Sequence, residues 1–148
     1  MSFHDLPDNW SDLPLDTPGL AADVADLVVG HGDRLGGCVG LVLTTRERTM
    51  GQPCVVHDVD DTVDPEEFRP FLVQLAGMVA ENGGGLLFVR GRTGSVLLTE
   101  ADRHWHRVAV EACREGGVTL VGSFLATPAA VRAFPGHLPT ATPSAEAG

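Results

Sequence analysis

The chain has no lysine, no isoleucine and no tyrosine, and all ten of its basic residues are arginine. The three missing residue types share AT-rich codons, so their absence points to a GC-rich genome and carries no functional message. Aromatic residues are also scarce, with six Phe and two Trp in 148 positions. No apolar run comes near the roughly 18 residues that a membrane-spanning helix requires. The opening stretch, residues 1–16, is acidic where a secretory leader would be basic and then apolar. Neither a membrane anchor nor an export signal is expected. Cysteine is sparse too. Cys38, Cys54 and Cys113 form an odd set without Cys-x-x-Cys spacing, and each lies in an apolar stretch. Free thiols in such surroundings act as small hydrophobes, and reduced thiols imply a cytoplasmic setting.

What is present is acid. The net charge is −10, a field that repels polyanions, so neither nucleic acid nor an anionic membrane is expected as a partner. Residues 1–17 hold Asp5, Asp8, Asp12 and Asp16 with no base, and residues 58–67 hold six acids with no base. Both runs read first as solvated loops. The sharper reading is a cation site or a docking surface for a basic partner. A hydrophobic fraction of 43% in a chain of this length fits one domain with its own core.

Periodicity divides the chain into an acidic tail over 1–16, an α/β domain over 17–134 and a second tail over 135–148. Thr17-Pro18 is a cap and first-turn signal for a helix with Leu20, Val24, Leu27 and Val28 on one face, ended by Gly30 or Gly32. The run from Cys38 to Leu43 is apolar on both faces, as in a central strand. Arg46-Glu47-Arg48 would be an exposed turn, and Pro53 to Val59 the returning strand of a hairpin. Asp64-Pro65 opens a second helix through Phe68, Phe71, Leu72, Leu75 and Val79, which Asn82-Gly83-Gly84 stops. Gly85 to Val89 is another doubly apolar strand, and Arg90 to Leu98 a loop. Thr99-Glu-Ala-Asp102 is a capping-box start for a third helix, with Ala101, Trp105, Val108 and Ala112 on its apolar face. Val118 to Leu125 is a strand, and Val131 to Phe134 a further one. Alternation of strands and helices requires a mixed sheet between helical layers.

The segment from Leu86 to Asp102 carries the best chemical pattern. A strand end, a Gly-containing loop and a helix N-terminus form the usual ligand position of an open α/β sheet, where amides favour an anion. Arg90, Gly91, Arg92, Thr93, Gly94, Thr99 and Asp102 are the candidate ligand-binding residues, with the two arginines as bidentate donors. The loop lacks the Gly-Lys-Ser/Thr ending of a Walker motif and the spacing of GxGxxG. Elsewhere, His57 beside Asp58, Asp60 and Asp61 could form a cation site. His104 and His106 lie two apart on a helix and read as surface residues, and His31 follows the end of the first helix. No nucleophile–base–acid set can be assembled from spacing.

The same segment resembles the JAB/MPN metalloprotease family in its RadC-like form. That family's motif is His-x-His-Pro-Ser-Gly, then Ser-x-x-Asp, followed by a helix and a strand. Laid without gaps on this chain, the two His fall on Val89 and Gly91, and the Ser-Gly on Thr93-Gly94. The later Ser falls on Thr99 and the Asp on Asp102. The stretch from Leu41 to Met50 resembles the family's first hairpin, and Pro65 to Phe68 the start of its helix, so the resemblance spans roughly residues 36–127. It implies a single three-layer JAB/MPN-like (cytidine-deaminase-like) fold. The family's catalytic Glu would fall near Gly36, where Asp33 is the nearest acid, and only Asp102 of the zinc ligands remains. One carboxylate cannot hold zinc. The resemblance therefore implies a non-catalytic chain with no cofactor and no metal, used as an interaction or assembly module through a protein partner or self-association. The alternative is a small-anion binding protein or hydrolase using the loop Arg90–Gly94.

Overall fold

The computed structural model of the chain describes residues 6–17 and 19–135. Five strands form one mixed sheet: β1 (Cys38–Thr44), β2 (Met50–His57), β3 (Gly85–Gly91), β4 (Thr119–Ala126) and β5 (Val131–Ala133), in the order β2-β1-β3-β4-β5. The β3–β4 pair is parallel and the other three are antiparallel. A parallel pair cannot be joined by a hairpin, and the crossover is helix α4 (Glu100–Gly116).

Alternation along the strands explains why they read as apolar on both faces. Val39, Leu41, Leu86 and Phe88 turn to one side, where they meet α4 and helix α3 (Arg69–Glu81) around the fully buried Trp105. Cys38, Val42, Leu87 and Val89 turn to the other side, against helix α1 (Leu20–Val28). The result is an α/β domain of three layers with two cores. Trp105, Val108 and Ala112 are buried as the helical spacing requires, and Ala101 is half-buried. Thr99 and Asp102 form the expected capping box, with Thr99 Oγ1 accepting the Asp102 amide at 3.1 Å and Asp102 Oδ2 accepting the Thr99 amide at 2.9 Å.

Several elements differ from the sequence reading, each for a local reason. The expected tail over 1–16 is only partly a tail: Leu15 is buried, and Leu6, Trp10 and Leu13 pack against the α1-side core. Residues 1–5 and 136–148 lie outside the described residues, as does Pro18 of the first helix start. Helix α1 begins after Gly19 in a left-handed conformation (φ +81°), and Leu27, assigned to its apolar face, is exposed while Val29 is buried. An unforeseen short helix, α2 (His31–Gly36), follows where glycines read as stops. It forms because Arg34 is drawn inside: its guanidinium donates to Val29 O (2.9 Å), to Thr127 O (3.0 Å) and to Asp26 Oδ1 (2.8 Å). Strand β2 is shifted from the expected Pro53–Val59. It starts earlier through a bulge at Gly51 and stops where Asp58 takes a positive φ of 60°. The start at Asp64-Pro65 is a 3-10 turn, Pro65–Phe68, capped by Asp64 and running on into α3.

Candidate functional site

The carboxyl end of β3, singled out as the ligand position, is closed by the chain's own side chains. Leu86, Phe88 and Arg90 share one strand face, so Arg90 points into the Trp105 core and not into a loop. Its side chain is fully buried, with the guanidinium carbon 5.1 Å from the Trp105 ring centre. It donates to Cys38 O (3.3 Å), to Val59 O and to Asp61 Oδ1 (3.1 Å). Burial pushes its pKa down, and Asp61 opposes that shift. Arg90 thus ties the start of β1 to the acidic segment after β2. Its Nε and the Trp105 indole N–H have no acceptor among the described residues.

Arg92 engages different partners. Its Nε and Nη2 hold the two carboxylate oxygens of Asp102 at 2.8 and 2.6 Å, a bidentate pair with Asp102 wholly buried. Nη1 donates to Thr93 O (2.7 Å) and Nη2 also to Leu97 O (3.0 Å). Burial alone would raise the Asp102 pKa, but the Arg92 guanidinium and the Thr99 amide outweigh it and hold the carboxyl below its ordinary range. The Arg92 pKa is raised by the same pair. The two arginines do not converge on a shared pocket, and apart from the buried Arg90 Nε their donors named above are spent on protein acceptors. Gly94 (φ +96°) makes the turn of the loop, and Thr93 and Thr99 are exposed.

The positions of the resemblance can be tested for room. Val89 is buried in the α1-side core. At Gly91 a Cβ would lie 2.5 Å from Cys38 Sγ and 3.1 Å from Val29 Cγ1, so even an alanine is crowded there. Asp102 faces Arg92 from the other end of the loop, and Gly36 closes α2 on the exposed surface. Among the described residues no group of three or more His, Cys, Asp or Glu is placed to hold a metal ion. The cluster suggested around His57 is not assembled. His57 Nε2 pairs with Asp33 Oδ1 at 2.8 Å, Asp61 goes to Arg90, and Asp60 Oδ1 accepts the Thr62 amide at 2.9 Å.

Of the two histidines that sequence spacing placed on the surface, His106 packs inward, and His104 joins a surface network of ion pairs. His106 Nδ1 meets Ser123 Oγ at 2.8 Å, and its ring stacks on Phe134 at 4.7 Å between centres. Ser123 is 3% exposed, so this Ser–His pair presents no nucleophile to a substrate. His104 Nε2 meets Glu66 Oε2 at 2.9 Å, within a chain of ion pairs from Glu66 through Arg69 to Glu111. Arg69 and then His104 hold the Glu66 carboxyl down at about 2. Burial pushes the Cys38 thiol up to about 11 and the Cys113 thiol up to about 12. Neither is a ready thiolate nucleophile or metal ligand.

What sequence reasoning passed over is the apolar hollow beside the outer edge of β2. Among the described residues no strand pairs with its far side. Beside it Val56, Glu67, Phe68 and Phe71 line an open apolar hollow of about 240 Å³. Phe71 is 43% exposed, and Met78, seven residues on along the same stripe of α3, is also exposed. Among the described residues no helix is long and apolar enough to cross a membrane. Comparison with protein-family models, curated proteins and solved structures finds no match to the chain.

Proposed function

We propose that the chain is a non-catalytic, metal-free, JAB/MPN-like interaction module. The observation that carries this reading is the Arg92–Asp102 pair. The one carboxylate that the resemblance leaves for zinc has its charge matched by an internal guanidinium, so a metal ion would have to displace a bidentate, buried partner. Crowding at Gly91 and burial of Val89 support it further: a side chain at Gly91 meets Cys38 Sγ and Val29 Cγ1, and position 89 is filled by an apolar core residue. The hairpin, helix, strand, capped helix and strand follow one another in the order the resemblance implies.

Elemental mass spectrometry of purified, untagged protein tests the reading. The expected result is less than about one tenth of a metal ion per chain, before and after incubation with zinc. Stoichiometric zinc or manganese would overturn it. A small-anion role for Arg90, Arg92 and Thr99 predicts a thermal shift with millimolar phosphate, and none is expected here because both guanidinium groups are already engaged.

A further inference from the structure

We infer that the outer edge of β2 docks an extended, basic segment of a protein partner. The segment adds a short strand and places one large apolar side chain in the hollow beside Phe71. This deepens the interaction-module reading and rests on it for the kind of function, but not for the geometry.

The backbone argument starts from Pro53. A residue without an N–H is accommodated in a sheet only where that N–H would face away from the ladder. Pro53 lies opposite Val42 in β2, so its amide position faces outward. Both backbone groups of a residue in an antiparallel strand point the same way, and the direction alternates. The N–H and C=O groups of Val55 and His57 therefore also face the open side, next to the Pro53 carbonyl, which accepts from Gln52 Nε2 at 3.2 Å. Pro53 and the Gly51 bulge limit pairing further along, as devices that protect an edge from sheet-to-sheet aggregation. What remains open is a short stretch, suited to a short strand and not to indefinite extension.

The hollow adds selectivity of side chain. At about 240 Å³ it is smaller than the roughly 300 Å³ at which small-molecule sites begin. It has room for one large apolar side chain. It lies on the α3 side of β2, the side to which Val56 turns, so alternate residues of an added strand pass over it.

Charge selects the occupant. The segment leaving β2, residues 58–67, has six acids and no base. Asp61, Asp64 and Glu66 are engaged with Arg90, the Glu66 amide and Arg69, respectively. Among the described residues Asp58 and Glu67 have no ion pair, and Glu67 lines the hollow itself. An incoming strand bearing Arg or Lys around its apolar anchor meets that field favourably. A second copy does not: edge-to-edge pairing would bring together two chains of net charge −10, each with the same acidic segment leaving β2.

The test is selection of a phage-displayed library of twelve-residue peptides on the immobilised full chain, followed by synthesis of the enriched sequences. The proposal expects an apolar residue flanked by Arg or Lys among them. It expects binding at least tenfold weaker at 300 mM than at 50 mM NaCl, and at least tenfold weaker for Phe71→Asp. Bound peptide should slow hydrogen exchange at the amides of Val55 and His57. Val55→Pro removes one of those donors, and it should abolish binding while the exposed Phe71→Asp variant melts like the parent. No enrichment, enrichment of acidic or uncharged peptides, or unchanged exchange at Val55 and His57 would overturn the proposal. So would a dimer that Val55→Pro dissociates. The metal measurement is independent: bound metal with peptide docking would sink only the metal-free reading, and no metal without docking would sink only this inference.

Discussion

The carboxyl end of β3 and the outer edge of β2 carry opposite signals in sequence and in space. The first has the arginines, the glycine loop and the helix start that usually mark a ligand site, yet its charged groups are matched internally. The second reads as an ordinary hairpin strand, yet it leaves backbone groups, an apolar hollow and acids unmet. The difference teaches that ligand capacity lies in unsatisfied groups, not in the presence of polar ones. A guanidinium that has found a carboxylate and two carbonyls is a structural rivet.

Breaking the closed region should therefore damage the fold, and altering the open one should not. Asp102→Ala removes a wholly buried carboxylate that serves both Arg92 and the helix cap. The expected loss is about 3–5 kcal/mol, read from urea unfolding. Arg90→Ala leaves the Cys38 and Val59 carbonyls without their side-chain donor but frees only an exposed partner in Asp61. A loss of about 2–3 kcal/mol is expected, with faster hydrogen exchange across residues 58–62. Glu66 sharpens the comparison through pH. Its carboxyl titrates at about 2 in the fold against an ordinary 4.5, so its ion pairs contribute fully above pH 4.5 and fade as pH falls towards 2. Glu66→Gln should flatten the dependence of melting temperature on pH in that window, with a small effect because the group is on the surface. Smallest of all is Phe71→Asp, which should change unfolding free energy by no more than about 0.5 kcal/mol. A larger loss would mean that Phe71 belongs to the core and that the edge is not a free surface.

Much of the fold was legible because its signals are local. Thr99 and Asp102 are three residues apart, and their reciprocal bonds follow from that spacing. The doubly apolar β1 and β3 announce a sheet covered on both sides. Ending the strand at Val89 gives Arg90 to the loop, whereas β3 runs on to Gly91 and alternation carries Arg90 onto the face of Leu86 and Phe88, where it is buried. Its acceptors were not legible: Cys38, Val59 and Asp61 lie 52, 31 and 29 residues away. Helix α2 was hidden for the same reason, since Thr127 O, which helps hold Arg34, is 93 residues from it. The hollow beside the β2 edge escaped notice because Phe71 sits on the apolar stripe of its helix, and nothing in that spacing tells that it stays 43% exposed next to Val56.

The strand order has a kinetic consequence as well. Residues up to His57 supply the β1–β2 hairpin with α1, and residues from Arg69 supply α3 with the β3–α4–β4 unit. The β1–β2 hairpin and the β3–α4–β4 unit can each assemble from nearby contacts; they meet along the β1–β3 ladder, in which Leu43 faces Leu86 and Cys38 faces Gly91, and α1 then lies across β4 and β5. Closing that ladder joins residues 43 to 53 positions apart, and Arg34 reaches Thr127 across 93, so docking of the two parts should limit the folding rate. Two fragments divided within the acidic segment should then recover the native sheet when mixed, since the break leaves the hairpin and the β3–α4–β4 unit each intact.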